Sequence, residues 1–306
     1  MMYFAPPKDV PTTVFARLPD QFRKKRRNAW TDGNQRGAEL DSFLEGPRFD
    51  RQGNLWVVDV PFGRLFKISP QGEWTLALEY DGEPNGLGFH RDGRAFIADY
   101  KNGILAFDPA TGKVEPVMPR RYSERLKGPN DLVFSKDGDL YFTDQGQTGQ
   151  HDPTGRVYRL PANGGRLECL VDTIPSPNGL TLNSDESALF VAVTRANAVW
   201  RVPIMLDGGV SKVGTFIQLT GGVGPDSMTI DAEDGLVVCH IGLGTVWHFN
   251  KLGEPIHRIR SCAGLGTTNA TFGGPDGKSL FITEGATGQV LRAELPVKGA
   301  TLFSER

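Results

Sequence analysis

The chain repeats one structural unit six times, and this repetition constrains its fold more than any other feature. The unit is a short apolar strand, a turn that contains Gly or Asp, and a second strand rich in large apolar and β-branched residues. Its copies occupy residues 46–59, 86–99, 130–144, 178–193, 226–240 and 269–284. Self-similarity at a regular period indicates a repeat architecture, so the fold must be built from six equivalent parts.

The spacing of the copies indicates how many strands each part holds. The apolar residues just before the turns are Phe49, Phe89, Phe134, Leu182, Ile230 and Phe272, which lie 40, 45, 48, 48 and 42 residues apart. Further strand-like segments lie between the copies, for example 63–68, 155–160 and 198–202, which gives about four strands per unit. Four-stranded units of roughly 40–50 residues are typical of propeller blades. We therefore predict an all-β, six-bladed β-propeller with four-stranded blades around a central channel.

The length of 306 residues is compatible with one or two domains, and the blade count decides between them. Six blades fill residues 41–306, so we predict a single propeller domain, 1–306. Residues 1–40 form an N-terminal extension that acts as a flap or as a closing strand, and 19–29 forms at most a short helix. A pair of β-sandwiches is the alternative for a Gly-rich all-β chain, but sandwiches do not repeat a whole four-stranded unit.

Charge and composition exclude several classes of partner. The formal net charge is −2, which gives no basic field for nucleic acid, and the run 23–27 is interpreted as a solvated surface segment. No stretch approaches the roughly 18 apolar residues of a spanning helix, and no secretion leader is evident, so we expect a cytoplasmic protein without membrane contact. Three cysteines with no close pair predict neither a disulfide framework nor a cysteine zinc site. We expect a monomer or homodimer that acts on a small molecule.

Polar residues occupy one equivalent position in all six units, four residues before the apolar anchor. They are Glu45, Asn85, Asn130, Asn178, Asp226 and Thr268. The innermost strands of a propeller line its axis, so these residues meet at one mouth of the channel. Each Asn or Asp alone suits an ordinary turn. Two carboxylates and three amides that converge, however, would repel one another and leave acceptors unpaired unless a cation lay between them.

The type of ligand indicates the type of metal. Oxygen ligands favour Ca²⁺, which accepts about 6–8 of them in flexible geometry. Mg²⁺ or Mn²⁺ could replace it, and Zn²⁺ is disfavoured by the ligand type without being excluded. Rival catalytic signatures are missing from the sequence: there is no Gly-x-Ser-x-Gly elbow and no HExxH pair. His240, at the end of a strand in the fifth unit, either relays a proton at the mouth or is a structural histidine.

Four short motifs carry a family resemblance. They open the first, third, fourth and fifth units as Glu45-Gly46-Pro47, Pro129-Asn130-Asp131, Pro177-Asn178-Gly179-Leu180 and Pro225-Asp226-Ser227. In order and spacing they resemble the senescence marker protein/gluconolactonase family, which includes regucalcin and is related to diisopropyl fluorophosphatase. The similarity extends over residues 40–296. Ser227 stands where sugar-lactone members often have Gly, which brings the chain nearer to the broad-specificity bacterial lactonases of the family.

The resemblance implies a six-bladed propeller with one divalent ion, usually calcium, and metal-dependent lactone hydrolysis. The implied metal ligands are Glu45, Asn178 and Asp226, with Asn130 as a fourth ligand or a substrate contact. Asp226 is the implied general base or nucleophile. We expect the remaining substrate contacts to come from Asn85, Asn130, Thr268 and His240. Phosphotriester hydrolysis and a non-catalytic calcium-binding scaffold are the alternatives.

Overall fold

The computed structural model describes residues 4–301 and 303 and consists almost entirely of strands. It begins with β1 (Lys8–Pro11), β2 (Thr13–Arg17) and the short helix α1 (Ala29–Asn34). Blade one is β3 (Leu44–Phe49), β4 (Leu55–Asp59), β5 (Arg64–Ile68) and β6 (Trp74–Glu79). Blade two is β7 (Pro84–Phe89), β8 (Ala95–Asp99), β9 (Gly103–Asp108) and β10 (Lys113–Met118), followed by the small hairpin β11 (Arg120–Arg121) and β12 (Glu124–Arg125).

The other four blades follow the same order from the axis outward. Blade three is β13 (Pro129–Phe134), β14 (Leu140–Asp144), β15 (Gly155–Leu160) and β16 (Glu168–Ile174), and blade four is β17 (Pro177–Leu182), β18 (Ala188–Val193), β19 (Ala198–Pro203) and β20 (Gly214–Gln218). Blade five is β21 (Gly224–Ile230), β22 (Leu236–Ile241), β23 (Thr245–Phe249) and β24 (Pro255–Arg260), and blade six opens with β25 (Thr267–Gly273), β26 (Ser279–Glu284) and β27 (Gln289–Glu294). The predicted six-bladed propeller is confirmed.

The hydrophobic core lies between neighbouring blades. The second strand of a blade is covered on both faces, and accordingly every residue of β4 and β18 is buried. Trp56 of blade one packs edge-on against Phe89 of blade two, with ring centroids 5.8 Å apart. Outer strands such as β6 and β10 have mostly half-buried or exposed residues. Strands that are buried on both faces need continuous apolar runs, which is the pattern seen in the six sequence repeats.

Two N-terminal strands complete the last two blades. Strand β2 pairs antiparallel with β27 and forms the outer strand of blade six, so that blade combines segments from the two ends of the sequence. Strand β1 adds a fifth strand to blade five by parallel pairing with β24. Asp9 holds this strand through Arg258, whose Nε donates to Asp9 Oδ1 at 2.6 Å. Within the extension, therefore, residues 8–17 belong to the propeller sheets.

Residues 19–29 contain only a short helical segment, which agrees with the prediction of at most a short helix there. A 3₁₀ turn covers Asp20–Phe22, and α1 begins only at Ala29. Asn28 sets this start because its side chain accepts the N–H of Thr31 at 3.0 Å, while Thr31 Oγ1 accepts the N–H of Asn28 at 2.9 Å. The basic run is also not simply solvated, because Arg23 Nη2 donates to the carbonyl of Thr287 at 2.9 Å.

A short C-terminal segment crosses one end of the channel. The N–H of Ala300 donates to the carbonyl of Ile230 at 3.1 Å, and Phe303 stacks on Phe134 with 5.2 Å between ring centroids. The ends of the inner strands enclose a cavity of about 110 Å³ beneath this segment. The polar residues predicted to line the axis lie at the opposite ends of the inner strands. In the described part of the chain, no helix has the length and apolar character needed to cross a membrane.

Candidate active site

The inner strands present the axial residues by the same local distortion in every blade. Pairing between the first and second strand changes register at the axial position, for example between Glu45 and Arg48 and between Pro177 and Leu180. The other four blades show the same shift. Such β-bulges re-aim a side chain and interrupt pairing. Proline directly before Asn178, as before three other axial residues, suits this place because it has no N–H to give to the ladder.

Glu45 and Asp226 form a buried pair of carboxyl groups. Their residues are 3 % and 8 % exposed. Burial raises the pKa of Glu45 well above its usual value, and the nearby carboxylate of Asp226 raises it further. Burial also raises the pKa of Asp226, to about 7, although a hydrogen bond from Asn178 opposes the shift. Two carboxyl groups that disfavour each other's charge create a place where a cation is stabilised.

Asn178 supplies the acceptor that completes this pair. Its Nδ2 donates to Asp226 Oδ1 at 2.6 Å and to Thr194 Oγ1 at 3.2 Å. Its Oδ1 is buried without a hydrogen-bond partner. A buried polar atom without a partner is costly, so an unpaired amide oxygen beside two carboxyl groups fits a hard cation.

Asn130 is held from the side by residues that the sequence analysis missed. Its Nδ2 donates to Gln145 Oε1 at 2.9 Å, and Gln145 Nε2 donates to Ser176 Oγ at 2.9 Å. This arrangement leaves the Oδ1 of Asn130 for another partner. Gln145 follows directly after β14, at the position that Thr194 occupies after β18. That repeated position is the sequence signal that could have identified both residues.

Three predicted substrate contacts differ in their surroundings. Asn85 is half-buried at the equivalent position of blade two. Thr268 is fully buried, and its Oγ1 donates to the carbonyl of Leu44 at 2.9 Å, which ties blade six to blade one. His240 is 1 % exposed. Its Nε2 lies 2.9 Å from the carbonyl of Gly221, and its Nδ1 accepts the Nε1–H of Trp247 at 3.3 Å.

The contacts of His240 favour the structural alternative. Because a carbonyl only accepts, Nε2 carries the proton, and because Nδ1 accepts from an indole, it carries none. Burial lowers the pKa of His240, which favours this neutral form. Both ring nitrogens are therefore engaged inside blade five. Its predicted contact with substrate, like that of Thr268, stays a prediction.

A second polar layer lies one residue further along the inner strands. Asp131 Oδ2 accepts the hydroxyl of Ser227 at 2.6 Å, and its Oδ1 accepts the N–H of Leu132 at 2.8 Å. Burial raises the pKa of Asp131, and the charge of Arg48 opposes this. Gly179 occupies the same layer, where a Cβ would collide with Ser227. The layer explains the glycine in the motif that opens the fourth unit.

Carboxylates at the ends of second strands fix the loops that lead to the mouth. Each accepts the backbone N–H of the residue two positions before an axial residue. The four contacts are Asp59 with Phe43 at 2.8 Å, Asp99 with Glu83 at 3.0 Å, Asp144 with Gly128 at 2.8 Å, and Glu284 with Gly266 at 2.7 Å. Blades four and five have Val193 and His240 at this position, and in blade four the N–H of Ser176 is accepted by Thr148 Oγ1 at 3.1 Å instead.

The candidate metal-binding atoms at the mouth of the channel are oxygens. Within residues 4–301 and 303, no three His, Cys, Asp or Glu side chains come together as a metal-binding group. The axial set instead combines two carboxyl groups with amide oxygens. Such a set suits Ca²⁺ or Mg²⁺ and is poor for Zn²⁺, which prefers sulfur and imidazole.

Comparison with known proteins agrees with the motifs. The family model described as SMP-30/Gluconolactonase/LRE-like region matches residues 43–286. The chain belongs to this family. Lactonase drp35 of Staphylococcus aureus strain MRSA252 is 33% identical to the chain over 241 residues, 75% of this chain and 72% of the relative. The enzyme of the same name from Staphylococcus epidermidis is also 33% identical over 241 residues.

Solved structures share the propeller. A gluconolactonase from Xanthomonas campestris superposes with a TM-score of 0.74 at 24% identity, covering 94% of this chain and 98% of the other. The calcium-binding protein regucalcin from Agrobacterium tumefaciens gives a TM-score of 0.75 at 23% identity, covering 98% and 99%. At these identities the likeness shows that the fold is common to all three.

Proposed function

We propose that this protein is a divalent-cation-dependent hydrolase that opens the ring of a lactone. The observation that carries the proposal is the buried group of Glu45, Asp226 and the unpaired oxygen of Asn178 at one mouth of the propeller. Its relatives named lactonase support the substrate class. The burial of both carboxyl groups costs stability unless a charge compensates it, so a purely structural role for the pair is unfavourable.

The cation would be held by Glu45, Asn178 and Asp226, and Ca²⁺ is the ion that this donor set fits best. When bound, it polarises the carbonyl of the lactone and stabilises the negative charge that develops on that oxygen. Mg²⁺ or Mn²⁺ is the next choice. The cation also allows both carboxyl groups to remain ionised, which their mutual repulsion otherwise opposes.

Asp226 either activates the attacking water or attacks the lactone itself. Its Oδ1 accepts from Asn178, which leaves the second carboxylate oxygen for a water molecule or for the lactone carbonyl carbon. In the first case Asp226 takes a proton from the water as general base, and in the second it attacks as a nucleophile and water later releases the acid. Both cases give the ring-opened hydroxy acid as product.

Asn130 can serve either as a ligand or as a substrate contact. Its partner Gln145 reaches Ser176, whose hydroxyl can donate as well as accept. Reversal of both amides therefore keeps every hydrogen bond and turns the Nδ2 of Asn130 toward the mouth. With Oδ1 turned inward Asn130 supplies a fourth ligand, and with Nδ2 turned inward it donates to a substrate oxygen. Asn85 contributes a further polar contact from blade two.

The test is a substrate panel combined with metal exchange. Chelator-treated protein is assayed on gluconolactone, dihydrocoumarin and a dialkyl fluorophosphate, each after addition of Ca²⁺, Mg²⁺, Mn²⁺ or Zn²⁺. We expect lactone hydrolysis that disappears on chelation and returns most fully with Ca²⁺. Turnover of the fluorophosphate alone would replace the lactonase proposal by phosphotriester hydrolysis. Calcium binding without turnover of any substrate would indicate a non-catalytic scaffold.

A further inference from the structure

The hydroxyl of Thr194 links two of the proposed metal ligands. We propose that Thr194 is a positioning residue that fixes the amide of Asn178 with its oxygen toward the cation. Thr194 opens the 3₁₀ turn Thr194–Ala196 directly after β18 and is 4 % exposed. It lies outside the four motifs of the sequence. The inference rests on the cation site of the proposed function.

The direction of the hydrogen bonds carries the argument. Thr194 Oγ1 donates to the carbonyl of Pro225 at 2.7 Å. A carbonyl can only accept, so the single hydroxyl hydrogen of Thr194 is used there. The same Thr194 Oγ1 lies 3.2 Å from Asn178 Nδ2, and toward Asn178 it can therefore only accept. Rotation of the Asn178 amide by 180° would place two acceptors against each other.

A second contact reinforces this orientation. The other hydrogen of Asn178 Nδ2 points to Asp226 Oδ1 at 2.6 Å, and an ionised carboxylate likewise only accepts. Thr194 also holds the carbonyl immediately before Asp226, so one hydroxyl places both residues relative to each other. The consequence is the buried, unpaired Oδ1 of Asn178. Gln145 cannot lock Asn130 in this way, because its far partner is a hydroxyl that can reverse.

A purely structural role is the competing explanation, because blades four and five pack closely here. A Cβ on Gly224 would collide with the carbonyl oxygen of Thr194. Changes at Thr194 could therefore loosen the blade interface without any specific effect on Asn178. The test must separate the affinity for the cation from the stability of the apo protein.

The variants are Thr194→Val, which keeps the shape and removes the hydroxyl, and Thr194→Ser, which restores the hydroxyl. Calcium dissociation constants are measured calorimetrically on chelator-treated protein, with melting in chelator to monitor folding. We expect Thr194→Val to weaken calcium binding about 10–100-fold, as for other residues that orient metal ligands, and Thr194→Ser to return most of it. Thr245→Val is the matched control, because that buried hydroxyl donates only to the carbonyl of Leu243.

Two results would overturn the inference. One is an unchanged dissociation constant in Thr194→Val, whatever its melting temperature. The other is that Thr194→Val weakens calcium binding equally in the wild-type and Asn178→Ala backgrounds, measured at millimolar calcium. A residue that acts through Asn178 has nothing left to orient in the Asn178→Ala protein. Wild-type protein that binds calcium tightly but hydrolyses no lactone would reject only the proposed hydrolase. Wild-type protein that binds no divalent cation would reject both.

Discussion

The two oxygens of the Asp226 carboxylate differ in whether they already have a hydrogen-bond partner. Asp226 has one oxygen engaged by Asn178, so Asp226→Asn preserves the shape and an acceptor for that contact but removes the basic oxygen. We expect kcat for lactone hydrolysis to fall at least about 100-fold at saturating calcium, the usual contribution of a general base. Steady-state kinetics over a calcium titration separates this loss from weaker metal binding.

Asp92→Asn is the control for that experiment. Asp92 lies in an exposed turn, where hydrogen bonds from Arg94 and His90 outweigh its slight burial and lower its pKa to about 2. Removal of its charge should leave kcat unchanged. Full turnover by Asp226→Asn with calcium present would mean that Asp226 has no catalytic role.

The sequence predicted the axial residues but not the residues that orient them. Glu45, Asn178 and Asp226 could be found because a repeat places equivalent positions at one mouth. The repeated position after the second strand could have marked Thr194, but its contact with Pro225 and that of Asp131 with Ser227 could not be predicted, because they reach across to other blades and depend on bulges that shift the register of the inner strands. Hydrogen-bond direction at these positions is a property of the assembled ring.

Among structural elements, the buried ends of the second strands do much to stabilise the mouth of the channel. Asp59 ends β4, is fully buried, and pairs with Arg64, whose Nε donates to Asp59 Oδ2 at 3.0 Å. It also accepts the N–H of Phe43 at 2.8 Å. Burial raises the pKa of Asp59, and the adjacent Arg64 opposes the shift. Asp59→Ala would leave a buried guanidinium and a backbone N–H without their partner.

We expect Asp59→Ala to lower the free energy of unfolding by about 3–5 kcal/mol, the range for breaking one side of a buried ion pair. Urea denaturation measures this directly. Asp81→Ala is the matched control, because Asp81 pairs with Lys101 at an exposed site and should cost at most about 1 kcal/mol. Similar losses of unfolding free energy in the two variants would show that the buried pair contributes no more than the exposed pair.

Strands and helices differed in how well the sequence predicted them. The strands could be placed because six copies of one pattern reinforce each other. The helix α1 occurs once and lasts six residues, so no periodicity reveals it. Its start depends on the reciprocal capping by Asn28 and Thr31, which is a local signal that the basic run before it obscured.

For the whole molecule, closure of the ring depends on β2. This strand completes blade six, and Ala16 is 6 % exposed within an apolar cluster that also contains Phe281 and Val290. Ala16→Asp would place a carboxylate in that cluster, and we expect it to lower the free energy of unfolding by at least about 2 kcal/mol. Thr13→Asp, on an exposed position of the same strand, should leave stability within about 0.5 kcal/mol. Equal unfolding midpoints for both variants would contradict a closing role for β2.

The proposed cation would join blades one, four and five, and blade three when Asn130 acts as a ligand, so its binding should stabilise the ring as a unit. A ligand that binds only the folded state at 100 times its dissociation constant adds about 2.7 kcal/mol. For a chain of this length, with an unfolding entropy of about 2.1 cal/mol/K per residue, that corresponds to a rise of about 4 °C in melting temperature. Calorimetric scans in chelator and in excess calcium measure it. Asn178→Ala should lose most of the rise, whereas Thr13→Asp should keep it. A rise that survives in Asn178→Ala would mean that calcium stabilises the propeller from somewhere other than the axial mouth.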